Sequence, residues 1–274
     1  MLVTARMFGK LSSDPLKVLE KGGCELVPNP YAGRRLNEGE MLELIKDVDG
    51  AIVGEDDLTA RVIETGNRLR VISKFGVGVD RIDVASATRK GIIVTNAPGT
   101  NKNAVADLAF GLILSLARRI PKAHNLVQTG GWEVVAGVEV WGKTLGIIGL
   151  GQIGRAVALR ARGFNMRILG YDIYKDEAAL KEHGIEFVPL EELLESSDFV
   201  TLHVPLSEGT RNLIGRRELA LMKETAYLIN TARGGVVDED ALYEALKGGQ
   251  VAGAALDVFE REPPLGSRLL GLPN

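Results

Sequence analysis

Short apolar runs rich in Val and Ile alternate with helical patterns along nearly the whole chain, and this alternation narrows the choice of fold more than any other feature. The expected strands are Leu2 to Ala5, Glu25 to Val27, Ala51 to Val53, Val71 to Lys74, Ile92 to Thr95, Thr144 to Ile148, Met166 to Tyr171, Phe199 to Leu202, Ala226 to Asn230 and Gly253 to Leu256. Strand, helix and strand repeated in this way build a parallel α/β sheet covered on both faces. So many strands exceed one sheet of ordinary size, which predicts two lobes. The turn Asn96-Ala97-Pro98-Gly99-Thr100 is the expected boundary, because Pro98 disfavours helix at Ala97 and Gly99 tolerates unusual dihedrals. Residues 1–98 then form one lobe and 99–274 the other. A long helix, Asn103 to Arg119, follows the turn. Its Val105, Leu108, Ala109, Leu112, Ile113 and Leu116 recur at helical spacing, while Phe110, Leu114 and Ala117 add apolar surface elsewhere. Such a helix needs cover on all sides, either by crossing between lobes or by packing on a second subunit.

Composition excludes several classes of function. The 274 residues carry 33 Lys and Arg against 36 Asp and Glu, a net charge of −3, with no broad basic surface for nucleic acid or an anionic membrane. The most apolar stretch, Ala104 to Ala117, falls short of the roughly 20 residues that a membrane span needs and contains Asp107, so a buried helix is expected. The single cysteine, Cys24, forms no intrachain disulfide, and the first residues lack the pattern of a secretory leader, which points to the cytoplasm. His124, His183 and His203 are too scattered to ligate zinc with that cysteine, and no metal is expected.

The most informative stretch is Thr144 to Leu159, which contains Gly149-Leu-Gly151-Gln152-Ile153-Gly154. Among 33 glycines the spacing alone is weak evidence, but here it follows an apolar strand, opens a helix, and precedes a second strand ending at Tyr171-Asp172. Gly149 would allow the tight turn, Gly151 the approach of a pyrophosphate, and Gly154 close packing of helix on strand. The amides of Gln152 and Ile153 would point at phosphate from a helix amino terminus. Asp172, at the end of the second strand, can accept both hydroxyls of an adenosine ribose and would repel a 2′-phosphate. With Ile173 and Tyr174 after it and no arginine, NAD is preferred over NADP, although Lys175 is a nearby cation.

Ligands of open parallel sheets lie beyond the carboxyl ends of the strands. Three segments have that position: His203-Val204-Pro205, Thr231-Ala232-Arg233-Gly234-Gly235, and Asp257 through Glu262-Pro263-Pro264. All three are expected to border the nicotinamide end of a dinucleotide. With Lys74-Phe-Gly-Val-Gly-Val-Asp80, Asn96 to Asp107, Gly149 to Gly154, Asn230 to Glu239, Gly253 to Phe259 and Glu262-Pro-Pro264, the chain resembles the D-isomer-specific 2-hydroxyacid dehydrogenases over nearly its whole length, most closely their phosphoglycerate dehydrogenase branch.

The resemblance implies a Rossmann-type cofactor domain, a smaller flavodoxin-like substrate lobe, and reversible hydride transfer between NAD and C2 of a small 2-hydroxy or 2-keto acid. It implies that Arg233 holds the substrate's carboxylate and keto oxygen, that Glu262 orients a catalytic histidine and raises its pKa, and that Gly76, Val77 and Gly78 cradle the carboxylate. Val204 and Asp257 would line the cofactor, and His203 would belong to an adenosine-side motif. The chemistry agrees: a planar guanidinium suits a carboxylate beside a carbonyl, and a general base must take the hydroxyl proton as hydride leaves. A homodimer through the Asn103 to Arg119 helix and the Trp132 to Trp141 segment is expected.

Two departures from the family pattern bear on function. The family's histidine lies in a Pro-His-x-Gly turn after the Glu-Pro-Pro segment, and the sequence reaches Asn274 without it. The expectation is a longer protein, of which these 274 residues alone are a poor catalyst, since losing a general acid or base costs about 10² to 10⁴ in rate. The loop after the Ala51 to Val53 strand, where phosphoglycerate dehydrogenases carry an arginine, reads Gly54-Glu55-Asp56-Asp57. Three carboxylates would repel a substrate phosphate unless Arg6, Arg34, Arg35 or another cation reached it, so glyoxylate or hydroxypyruvate fits at least as well. An alternative of another class is an NAD(H)-sensing binding protein on the same fold, as in the family's corepressors.

Overall fold

The computed structural model describes residues 1–31 and 33–274 and divides into two compact units, Met1–Asn101 and Lys102–Asn274. The first contains β1 (Leu2–Val3), α1 (Asp14–Lys21), α2 (Glu38–Leu44), β2 (Gly50–Val53), α3 (Ala60–Thr65), β3 (Val71–Lys74), α4 (Val84–Arg89) and β4 (Ile93–Thr95). Its parallel sheet has the order β1-β2-β3-β4. The expected strand at Glu25 to Val27 is reduced to one bridge between Val27 and Leu2. Pro28 follows immediately and has no N–H to continue a ladder, which stops the strand there. With that bridge in second place the sheet follows the 2-1-3-4-5 order of flavodoxin-like folds. Its core is built from Leu2, Leu36, Met41, Ile45, Leu58, Ile63 and Ile72, all without exposed surface.

The second unit begins with α5 (Lys102–Arg118) and α6 (Ile120–Gln128) and continues through β5 (Thr144–Ile148), α7 (Gln152–Arg162), β6 (Arg167–Tyr171), α8 (Glu177–His183), β7 (Glu186–Phe187), α9 (Leu190–Ser196), β8 (Phe199–Leu202), α10 (Arg216–Leu221), β9 (Tyr227–Asn230), α11 (Glu239–Lys247) and β10 (Gly253–Leu256). Six parallel strands run β10-β9-β8-β5-β6-β7. Renumbered within the unit this is the order 6-5-4-1-2-3 of a Rossmann sheet, with strand order reversing between β5 and β8. The β5, β8 and β9 runs are nearly all buried because helices cover both faces, in keeping with their mainly apolar sequences. Two hydrophobic clusters fill the two sides of the sheet.

The long apolar helix finds most of its cover within its own unit. Ala106, Ala109, Phe110, Ile113 and Ala117 of α5 are buried against α7, β9 and β10. It ends one residue earlier than expected, where Arg119 takes a left-handed conformation (φ 51°) and redirects the chain into α6. Leu108 stays exposed, as do Trp132, Val134 and Trp141 in the irregular segment that follows. Among the described residues no helix is long and apolar enough to cross a membrane.

Candidate dinucleotide and substrate site

The turn after β5 uses its three glycines for three different reasons. Gly149 has φ +98°, and a Cβ there would lie 2.7 Å from the backbone of His203. A Cβ on Gly154, in the first turn of α7, would lie 2.0 Å from the Gly149 carbonyl oxygen, so helix and strand are packed backbone to backbone. At Gly151, the residue that caps α7, a Cβ would meet nothing within 4 Å. Packing within the protein therefore demands the first and third glycines and leaves the second to whatever approaches from outside. The N–H groups of Gln152 and Ile153 have no carbonyl one turn earlier in the helix, which leaves them able to donate to an anion.

Asp172 is tied to this turn. Its Oδ2 accepts the Leu150 N–H at 2.7 Å and its Oδ1 the Tyr174 N–H at 3.1 Å, which orients the carboxylate and leaves each oxygen a further lone pair for a ribose hydroxyl. Arg155 holds the turn from the other side. Its Nε donates to the Leu150 carbonyl at 2.7 Å and its guanidinium pairs with Asp176 at 2.9 Å. Lys175, the nearby cation, pairs with Glu177 at 2.7 Å.

The neighbouring strand ends carry unsatisfied polar atoms. Leu202 of β8 registers with Asn230 of β9, so His203 and Thr231 emerge side by side. His203 Nε2 shares a hydrogen bond of 3.0 Å with Thr201 Oγ1, whereas His203 Nδ1 and Thr231 Oγ1 are buried with no partner among the described residues. Burial pushes the imidazole down to about 3, so the ring is neutral. Two orphaned polar atoms at the carboxyl edge of the sheet, beside a glycine turn and an oriented carboxylate, fit a dinucleotide with hydrogen-bonding groups along its length. Val204 is half-buried against the same turn and Pro205 is exposed.

Asn230, almost completely buried, organises the next segment. Its amide donates to the Arg233 carbonyl at 2.8 Å, its side-chain oxygen accepts the Ala232 N–H at 3.0 Å, and its backbone carbonyl accepts the Asp257 N–H at 3.0 Å. A Cβ on Gly234 would lie 2.0 Å from the carbonyl carbon of Phe259. The Arg233 turn and the segment leading to Glu262 are thereby pressed together, and Glu262 Oε1 accepts the Phe259 N–H at 3.2 Å. Neither Asn230 nor Arg155 stood out in the sequence; the only signals were an Asn opening the Thr-Ala-Arg turn and an Arg closing the glycine motif. His124 is exposed on α6 and His183 ends α8, away from these strand ends.

In the first unit the expected carboxylate cradle, Gly76 to Gly78, follows β3. Gly76 has φ +146°; its carbonyl accepts the Ala97 N–H at 2.9 Å and that of Val77 accepts the Asn96 amide at 2.7 Å. The N–H groups of Val77 and Gly78 donate to no acceptor among the described residues, as an anion cradle requires. In the acidic loop each carboxylate is engaged, and of the cations considered there Arg35 reaches it. Asp56 is buried and accepts from the Thr4 hydroxyl and from the Leu36 and Gly54 N–H groups. Asp57 pairs with Arg35 and Arg81, and Glu55 with Lys74. Arg34, one of the cations considered for a phosphate, is paired with Glu40.

Residues 110–274 match the family model described as D-isomer specific 2-hydroxyacid dehydrogenase, NAD binding domain. The chain is 48% identical over 268 residues to the D-3-phosphoglycerate dehydrogenase of Methanocaldococcus jannaschii, covering 96% of this chain and 50% of that protein. It is 50% identical over 242 residues to the glyoxylate reductase of Korarchaeum cryptofilum, covering 85% and 73%. A solved D-lactate dehydrogenase from Aquifex aeolicus, complexed with NAD and lactic acid, superposes with a TM-score of 0.84 at 33% identity, covering 97% of this chain and 79% of that one.

The glycines predict separable losses. Gly154→Ala should destabilise the protein by about 1–3 kcal/mol through overpacking, read from urea denaturation. Gly151→Ala should keep stability within about 1 kcal/mol while weakening NADH binding about tenfold or more, read by calorimetry. His203 should remain neutral, with no titration of its ring signals by NMR between pH 8 and 5. Its folded-state pKa lies below the ordinary 6.5, so below that pH the unfolded chain takes up a proton that the folded one refuses. Its contribution to stability should therefore fall with pH, by up to about 1.4 kcal/mol per pH unit.

Proposed function

The chain belongs to the D-isomer-specific 2-hydroxyacid dehydrogenase family, and from that premise we propose that the protein catalyses hydride transfer between NAD and C2 of a small 2-hydroxy or 2-keto acid. The observation that carries this reading is the bond from Leu150 to Asp172, which joins a pyrophosphate turn and a ribose acceptor in one constellation. NAD, when bound, supplies or accepts the hydride. In the proposal Gly149, Gly151, Gln152, Ile153 and Gly154 receive its pyrophosphate, Asp172 its ribose hydroxyls, and His203, Val204, Pro205, Thr231, Ala232 and Asp257 line the remainder.

On the substrate side, the N–H groups around Gly76, Val77 and Gly78 would bind the carboxylate. Arg233 would bind carboxylate and keto oxygen together, drawing electron density from C2 and favouring attack there. Glu262 would orient a histidine and stabilise its protonated form, so that the proton reaches the keto oxygen as hydride reaches C2. His203 does not fill that role in this reading, because its ring is kept neutral and bonded to Thr201. The reading extends to a homodimer through Asn103 to Arg119 and Trp132 to Trp141, supported by exposures of 91% at Trp132 and 95% at Val134.

The test is NADH oxidation by the full-length gene product and by the 274-residue chain against hydroxypyruvate, glyoxylate, pyruvate and 3-phosphohydroxypyruvate. Reduction of at least one small 2-keto acid is expected. Arg233→Gln should lower kcat/KM about 10²-fold or more, and Asp172→Ala should weaken NADH binding. NADH binding without turnover of any acid by either protein would overturn the reading.

A further inference from the structure

We propose that Glu55 sets substrate choice: by neutralising Lys74 beside the carboxylate cradle, it confines the site to short monoanionic 2-keto acids and turns away those with a second anionic group at C3. The inference rests on the dehydrogenase reading and deepens it. Lys74 closes β3 with a side chain only 5% exposed, and its Nζ donates to the Gly54 carbonyl at 2.6 Å and to Glu55 Oε1 at 2.7 Å. A Cβ built on Gly76 would lie 3.3 Å from Lys74 Cε and 4.0 Å from Nζ, so the ammonium sits under the first residue of the cradle. A buried ammonium holds its charge only if something balances it, and Glu55 does so.

Glu55 itself is 57% exposed, and its second oxygen lies 3.8 Å from Arg81 Nε. Arg81 pairs with Asp57, and Asp57 with Arg35, so alternating charges run from the cradle across the β2 loop. In this chain of pairs the carboxylate nearest Lys74 is also the one most open to water. A phosphate or carboxylate on C3 would therefore meet Glu55 before a cation with charge to spare. A substrate with one carboxylate, held by the cradle N–H groups, makes no such demand. The surface nearby is apolar: Phe75 packs edge to face on Phe8, with ring centroids 5.6 Å apart, and both Phe75 and Met7 are exposed. Arg6 follows β1, which is separated from β3 by β2, about two strand spacings of ~4.8 Å away, so Lys74 is the cation closer to the cradle.

The experiment compares the full-length gene product with its Glu55→Gln, Glu55→Ala and Glu55→Gln/Lys74→Met variants. Two ratios are read: kcat/KM for 3-phosphohydroxypyruvate over hydroxypyruvate, and affinity for 3-phosphoglycerate over D-glycerate by calorimetry with NADH present. The unmodified protein should favour the unphosphorylated ligand about tenfold or more. Either single variant should raise both ratios about tenfold, and the double variant should abolish the gain. A preference of the unmodified protein for the phosphorylated acid, ratios within twofold in both single variants, or a gain that survives loss of Lys74 would each overturn the assignment. If no acid turns over while the affinity ratios move as stated, the dehydrogenase reading fails and the role of Glu55 in selecting ligands stands.

Discussion

Helix α7 begins where it does because residue 154 has no side chain. Its Cα rests against the Gly149 carbonyl so closely that a single carbon there would lie 2.0 Å from the oxygen. That approach sets the angle at which the helix leaves the sheet, and the angle sets where its first N–H groups lie. Everything at the carboxyl edge is arranged around this junction. Arg155, one residue on, reaches back to the Leu150 carbonyl, and Asp172 takes the Leu150 N–H, so both backbone polar groups of Leu150 are held by side chains. A loop that would otherwise be mobile is preorganised before any ligand arrives.

Asn230 does for the other half of the sheet edge what Arg155 and Asp172 do for the glycine turn. Three hydrogen bonds from one buried residue connect the Thr231 to Arg233 turn with Asp257, and Gly234 permits the backbone of Phe259 to lie against it. Buried polar networks of this kind hold a main chain rigid when every member is satisfied. The two atoms left unsatisfied, on His203 and Thr231, stand between these two braced segments, at the ends of β8 and β9.

Much of this arrangement could be read from the chain alone, for reasons that differ by residue. Val71 to Lys74, Thr144 to Ile148, Phe199 to Leu202 and Gly253 to Leu256 have the predicted bounds because short, mainly apolar runs bounded by polar or turn residues mark the strands of a parallel sheet. Glu186–Phe187 was not legible: two residues at a sheet edge, one of them charged, carry no periodicity. The glycine motif was legible because glycine at fixed spacing has few meanings. Asn230 and Arg155 were not, since their tasks come from partners that only folding brings near. The partners of the acidic loop were hidden for the same reason. Counted along the chain, Glu55, Asp56 and Asp57 are three negative charges; in space Lys74, Arg81 and Arg35 balance two of them, and the third serves as a buried acceptor for Thr4, Leu36 and Gly54.

The contact between Asp172 and Leu150 also bears on how freely such a protein can change its coenzyme. The carboxylate suited to choosing between a ribose hydroxyl and a ribose phosphate is at the same time a strut of the loop beside it. Truncating this side chain would leave the Leu150 N–H without its acceptor, next to the carbonyl that Arg155 clamps. Recognition and architecture share one pair of oxygens. A change at this position keeps the turn only if the new side chain still accepts the Leu150 N–H or a second change props the turn.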